Sequence, residues 1–277
     1  MELLQTSQLI DTHFLPAVAS TNDVAKEISA TQAAPSPFLV VTTNQTAGRG
    51  RRDRVWQTPP GVALATSVYT PNWQAVATPV SWAPLLAGYA ISQALAKWLQ
   101  VFVKWPNDVL VSLPAEQTDE LAERRGGAKL CGVLCETTGD GGIIFGAGVN
   151  VFTAPAQTAE GGVSIKTALE ALGKNPLSAT SFETPEGHAL ADELLQRYVA
   201  ELLSGIELAG ADPQTFQRRI AQNLASVKRR VRALLPGGKT LSGYAVGLGA
   251  AGELLVRDER GRTVAVASAD VEHLRLD

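Results

Sequence analysis

The sequence predicts an α+β protein: a mixed sheet covered by helices, followed by a small all-β barrel. Three observations carry this. Short apolar runs of strand length alternate with amphipathic helical patterns up to about residue 224. Beyond that point, strands separated by PGG, GAAG and ERG turns take over. Finally, 45% hydrophobic against 18% charged residues in 277 positions is enough to fill a sizeable core.

Residues 21–30 (TNDVAKEISA) open as a helix, with Ser20 or Thr21 as cap, Asp23 in the first turn, and Val24 and Ile28 on one face. PFLVVTT at 37–43 reads as a short buried strand, followed by a glycine- and arginine-rich loop, TAGRGRRDR. GVALATSVYT at 61–70 returns as a strand, and 79–99 is the longest helical pattern, with Trp82, Leu85, Leu86, Tyr89, Leu95, Trp98 and Leu99 on one broad stripe. VFVKW, DVLVSL, KLCGVLCE and GIIFGAGVNV read as four strands in succession. Helical patterns resume at 164–172, 187–204 and 212–224, the last with Asp212 as cap and Pro213 at the first helical position. Residues 1–224 are expected to form the main domain. Residues 225–277 form the small barrel, with too little core of its own to stand apart from the main domain. The polar segment 114–128 reads as a long exposed hairpin loop.

Several classes drop out early. A formal charge of −3 and a pI near 5.7 give no bulk attraction to nucleic acid or anionic membrane. No stretch approaches the ~20 uninterrupted apolar residues of a membrane span, and no basic leader precedes an apolar core at the N-terminus. A soluble cytoplasmic protein is the expectation. Cys131 and Cys135 lie four apart on a strand, which puts them about 13 Å from each other on one face, too far for the ~7 Å Cα limit of a disulfide. His13, His188 and His273 are scattered, so a structural zinc site is not expected.

Five clusters can carry chemistry. From Gly48 to Arg54, four arginines and two glycines occur within seven residues, directly after a buried strand. Glycines admit a ligand close to backbone N–H groups, and guanidinium forks match phosphate or carboxylate oxygens; the alternative is a solvated turn. This loop is neither a GxxxxGK[ST] phosphate loop nor a GxGxxG fingerprint. Trp56 is an aromatic suited to stacking on a base or to ordinary packing. Lys104-Trp105-Pro106-Asn107-Asp108 presents an amide and a carboxylate between two strands, Lys129 opens the next, and Asn150 ends GAGVN.

In this order and spacing, Ser20-Thr21-Asn22, the Gln45–Arg52 segment, Lys104–Asp108, Lys129–Glu136 and Gly148–Asn150 resemble the biotin–protein ligases. The resemblance covers about residues 15–155, and the C-terminal barrel looks like that family's SH3-like domain. It implies a catalytic domain of class II aminoacyl-tRNA-synthetase type over 1–224, binding biotin and ATP. It further implies that Ser20, Thr21, Asn22 and Gln45 contact the ureido ring of biotin. Arg49, Gly50 and Arg51 belong to the biotin and phosphate loop, and Lys129 holds the biotin carboxyl and the reacting phosphate. Trp56, Asn107 and Asn150 match the nucleotide side together with Arg51 and Arg54, while Asp108 lies near the phosphates or a Mg²⁺ carried by ATP. The catalytic residues on this reading are Lys129, Arg51 and Arg49. The implied partner is a biotin carboxyl carrier domain, and no DNA or membrane is expected. Two departures stand out: Asp53 where the family often has glycine, and the long segment between Asp108 and Lys129. With 19 residues ahead of Ser20, against the winged helix-turn-helix that bifunctional members carry there, the ligase-only type without operator binding is the expectation. Rival readings are a lipoate–protein ligase of the same fold and, from another class, a nucleic-acid-binding module using Arg218, Arg219, Lys228, Arg229, Arg230 and Arg232.

Overall fold

The computed structural model describes residues 1–114, 126–153, 162–267 and 269–273. The loop expected at 114–128 lies for its greater part outside the described residues. Strands β1 (Asp11–Leu15) and β2 (Phe38–Thr42) come first. The hairpin β3 (Gln45–Arg49) and β4 (Val55–Thr58) follows. Then come β5 (Ala63–Thr70), β6 (Val101–Lys104), β7 (Asp108–Val111), β8 (Ala128–Thr137) and β9 (Ile143–Asn150). All but the hairpin join one mixed sheet of order β1-β2-β5-β9-β8-β7-β6, antiparallel except for the parallel β1–β2 pair.

Side-chain alternation assigns the two faces of this sheet. On one face, Phe38, Val40, Tyr69 and Ile144 pack under α1 (Thr21–Thr31) through Ala25, Val24 and Ile28. On the other, Leu39, Val41, Val68, Phe145 and Val149 join the main core with α2 (Ala83–Leu95). Further along the chain lie α3 (Ile165–Ala171), α4 (Pro185–Ala211) and α5 (Pro213–Gln222). The α2 helix is shorter than the 79–99 pattern. A 3₁₀ turn at Val80–Trp82 precedes it, and Ala96 and Trp98 donate to Gln93 and Leu95 in a tightened exit. Conversely, α4 runs past Ser204-Gly205, where the 187–204 pattern ends. A Cβ at Gly205 would overlap Leu86, so this glycine lets α2 and α4 approach. Asp212 caps α5 as expected, accepting from the Thr215 N–H at 3.0 Å.

The C-terminal segment forms five antiparallel strands rather than the four runs legible in sequence. They are β10 (Arg230–Leu234), β11 (Thr240–Leu248), β12 (Leu254–Arg257), β13 (Thr263–Val266) and β14 (Asp270–His273), in the order β13-β12-β11-β10-β14. Two tryptophans of the N-terminal part grip the β11–β12 turn. The Trp82 indole N–H donates to Ala250 O at 3.0 Å and that of Trp105 to Gly252 O at 2.9 Å. Buried tryptophans retain a polar handle, and here both handles fix the second sheet against the first.

Candidate active site

The face that carries α1 continues past its N-terminus, and there the sequence changes from large apolar to small residues. Ala65, Gly132, Gly146 and Gly148 stand where Ile144 and Tyr69 stand farther along. Removing side chains from one sheet face leaves a hollow, which the β3–β4 hairpin covers to enclose a cavity of about 310 Å³. That volume suits a small organic ligand.

One wall is a buried polar network at the start of α1. Ser20 is the N-cap residue, but its side chain makes no cap bond. The Thr21 N–H donates to Gln45 Oε1 at 2.9 Å, and Asn22 Nδ2 donates to Leu134 O at 3.2 Å and Glu136 Oε2 at 2.6 Å. A Cβ at Gly146 would overlap the Asn22 amide, which is why the strand carries glycine here.

The opposite end is ionic. Lys129 Nζ lies 2.8 Å from Asp108 Oδ1, both side chains largely buried, and 5.4 Å from the centre of the Trp56 ring. A bulge delivers this lysine. Leu110 pairs with Lys129 and Val109 with Cys131, so Leu130 is the extra residue in β8. The bulge turns both Leu130 and Cys131 into the core and sets Lys129 beside Gly132 on the cavity face. Burial pushes the Cys131 thiol up to about 12, and Cys131 and Cys135 are both free, Cys135 being half-buried. Next to Lys129, Asn107 donates to Val133 O at 2.8 Å and accepts from Arg51 at 3.3 Å. Burial, with the positive charge of Arg52 beside it, lowers the Arg51 guanidinium below its ordinary value.

The stretch read as a glycine- and arginine-rich loop is instead largely ribbon. The β3–β4 pair closes through a 3₁₀ turn at Arg51–Asp53, in which Arg52 has φ of 55°. Its arginines go to different elements: Arg49 to Asp23 of α1 and, at 3.3 Å, to Glu136 of β8, Arg51 to Asn107, and Arg52 and Arg54 to Asp270 of β14 at 2.9 and 2.7 Å. Trp56 lies flat on the glycines. A Cβ at Gly148 or Gly132 would meet its ring, and its indole N–H is buried without a partner among the described residues.

The structure thus brings Ser20, Thr21, Asn22, Gln45, Arg49, Gly50, Arg51, Arg54, Trp56, Asn107, Asp108 and Lys129 around one cavity. Asn150 is not in that lining. It sits buried at the end of β9, donating to Val163 O at 3.4 Å, with Oδ1 lacking a partner among the described residues. Arg49 stands beside the polar wall rather than beside Lys129. Sequence reasoning missed Ser67, Asp270 and Glu272, and gave Asp23, Lys104 and Glu136 no individual site role. Ser67 had no distinctive signal, since Thr66 and Thr70 are buried hydroxyls of the same strand and theirs have no partner among the described residues. Asp270 and Glu272 had none, because only docking of the second sheet brings them to the cavity.

Residues 14–151 match the biotin/lipoate A/B protein ligase family and 229–274 match the biotin protein ligase C-terminal domain. A curated relative, the biotin–[acetyl-CoA-carboxylase] ligase of Mycobacterium tuberculosis, is 31% identical over 94% of this chain and 89% of its own length. The chain belongs to the biotin–protein ligase family. Its fold is shared with the biotin protein ligase of Aquifex aeolicus solved with biotin and ATP. That match has a TM-score of 0.71 at 22% identity and covers 95% of this chain and 99% of the other. The Leishmania major biotin protein ligase, solved with biotinyl-5-AMP, has a TM-score of 0.56 at 28% identity, covering 96% and 99%. Among biotin–protein ligases, then, this chain carries both the ligase region and the C-terminal β unit.

Proposed function

We propose that the chain activates biotin with ATP and transfers it to a lysine of a biotin carboxyl carrier domain. One observation carries this: a single cavity joins a neutral hydrogen-bonding wall (Thr21, Asn22, Gln45) to a cationic end (Arg51, Lys129). A cyclic urea with a carboxylate tail needs both ends, whereas the dithiolane ring of lipoate gives the neutral wall nothing to pair with.

In the first half-reaction a biotin carboxylate oxygen attacks the α-phosphorus of ATP, and the bond to pyrophosphate breaks. Two anions must meet. Arg51 and Lys129, both cationic and withdrawn from water, offset that repulsion and the charge developing on the phosphorus oxygens. Asp108 holds Lys129 in place and fixes its direction. Arg54, Trp56, Asn107 and Asn150 would serve the nucleotide, Asn150 through the open Oδ1 described above. Asp108 is also the residue that would hold Mg²⁺, since this ion is bound by one or two carboxylates plus substrate phosphates and supplies charge neutralisation there. In the second half-reaction the acceptor lysine amine attacks the acyl carbon. The C–N bond forms, AMP leaves with the C–O electrons, and the amine loses a proton. The hairpin shields the mixed anhydride from water between the two steps.

The working division is 1–224 for the chemistry and 225–277 as an SH3-like unit that completes the cavity rim through Asp270 and Glu272. The cytoplasm suits two free thiols. A nucleic-acid role gains no support. The basic run is split between α5, where Arg218 donates to Thr215, and β10, where Arg232 pairs with Glu272 at 2.6 Å.

The test is incubation with ATP, Mg²⁺, labelled biotin and a biotin carrier domain. Biotin-dependent pyrophosphate release followed by label on the carrier is expected. Absence of both with folded protein would overturn the reading.

A further inference from the structure

Behind the cavity wall lies a residue that the lining does not include. Ser67, in the middle of β5, is fully buried, and its Oγ is 2.6 Å from Asn22 Oδ1 and 2.8 Å from Thr21 Oγ1. A hydroxyl has one proton to give, so the direction of each bond follows from the groups at the two ends of the chain.

At one end, both Nδ2 protons of Asn22 are taken by pure acceptors, the Leu134 carbonyl and the Glu136 carboxylate. The amide therefore turns its oxygen to Ser67, and the single Ser67 proton goes to Asn22 Oδ1. Ser67 is then an acceptor toward Thr21. At the other end, the backbone N–H of Thr21 donates to Gln45 Oε1, which fixes that amide with its oxygen toward Thr21 as well. The Thr21 hydroxyl faces two acceptors, Ser67 Oγ at 2.8 Å and Gln45 Oε1 at 3.2 Å, and its one proton is consumed between them. What remains for a ligand is a lone pair on Thr21 Oγ1 and the N–H donors of Gln45 Nε2. The wall has a fixed polarity: one acceptor and one donor side by side.

We propose that Ser67, held in register by the Asn22–Glu136 pair, is a positioning residue that fixes Thr21 as an acceptor and so selects a ligand offering N–H beside C=O. Biotin does so through its urea, and the inference rests on that reading of the cavity. Ser67 touches no substrate. It acts by denying Thr21 the alternative of donating.

In Ser67→Ala, Asn22 Oδ1 loses its donor inside the protein and the Thr21 rotor loses one of its two acceptors. A buried polar group left without a partner is costly, and here the loss falls on the ligand's ring. Expected is a rise of about tenfold or more in the biotin KM and in the calorimetric Kd. The ATP KM and the kcat at saturating biotin stay within about twofold. Desthiobiotin, which keeps the urea and lacks the thioether, should lose the same factor as biotin. A merely structural serine would depress kcat and both KM values together, and that result overturns the proposal. So does an unchanged biotin KM, or a loss for biotin not shared by desthiobiotin. Ser67→Cys, close in size and a weaker donor, should fall between wild type and Ser67→Ala. If Ser67→Ala does not fold, Ser67→Cys decides alone: an unchanged biotin KM in it overturns the proposal, and a selective rise supports it. Wild-type protein that binds no biotin would instead sink the functional reading, which separates the two failures.

Discussion

The floor and the roof of the cavity recognise by opposite means. The floor is made of β8, β9 and the start of α1. Its side chains are buried, its bonds are mostly between neutral groups, and its shape is set by glycines against which Trp56 and Asn22 lie. The roof is the β3–β4 hairpin. Besides Gln45 on Thr21, Arg51 on Asn107 and Trp56 on the glycines, it is held by ion pairs from Arg49, Arg52 and Arg54 to carboxylates on three other elements, with the arginine side chains about half exposed. Buried neutral bonds are exacting in direction and costly to leave unmade, while exposed ion pairs are worth little each and exchange partners readily. A site of this kind can hold a rigid ring on its floor while its roof re-pairs when an anion arrives.

The largest effect should come where charge is both buried and fixed. Lys129→Ala and Arg51→Ala are each expected to slow biotin-dependent pyrophosphate release by at least about a hundredfold, the scale for losing a preorganised charge stabiliser. Near wild-type release in either variant would remove that residue from the chemistry and place the cationic end elsewhere.

A smaller loss is expected from disturbing the floor without touching charge. Gly148→Ala puts a methyl group where the Trp56 indole lies. Overpacking of this kind costs about 1–3 kcal/mol, so kcat/KM for adenylation should fall about tenfold while the thermal midpoint reports whether the sheet survives. An unchanged kcat/KM would mean that Trp56 has room to move aside and that the floor is softer than its glycines suggest.

The same division explains what was legible in the sequence. Strands β2, β5, β8 and β9 announced themselves through apolar runs, and Pro213 with Asp212 announced α5, because these signals are local. The floor residues were legible for the same reason, as short motifs on strands. In sequence the hairpin reads as a loop because two glycines and four arginines carry no alternation. Its strand character comes from pairing with Val55–Thr58, not from its own composition. The bulge at Leu130 left no mark, since an extra leucine in an apolar strand looks like any other. Asp270 was illegible for a further reason: its partners lie 216 and 218 residues away.

Hydrogen exchange compares the two regions directly. Residues 143–149 should be protected with or without ligand, because both edges of β9 are paired. Residues 46–56 should exchange faster in the free protein and slow on addition of biotinyl-AMP, as the arginines acquire a shared anion. Equal protection of the hairpin in both states would count against a roof that re-pairs.

The smallest effect belongs to Asp270, and it tests the roof most closely. This one carboxylate accepts from both Arg52 and Arg54 and belongs to the C-terminal sheet, so it ties the hairpin to β14. Its side chain is about a third exposed, and those of the arginines are 38% and 51% exposed. Exposed pairs of this kind contribute about 0–1 kcal/mol, so Asp270→Asn should leave the thermal midpoint within experimental scatter. Asparagine keeps the size and one acceptor oxygen but removes the charge that holds two guanidiniums together. Exchange at 51–54 in the free protein should therefore quicken by a few-fold, while exchange with biotinyl-AMP bound stays as in wild type, the anion having replaced the carboxylate. Raising the salt concentration should erase the difference between the two proteins, because screening weakens the wild-type pairs and leaves the variant unchanged. A variant that loses stability by several kcal/mol, or whose liganded hairpin also loosens, would show that Asp270 is part of the folded frame. The roof would then be as rigid as the floor.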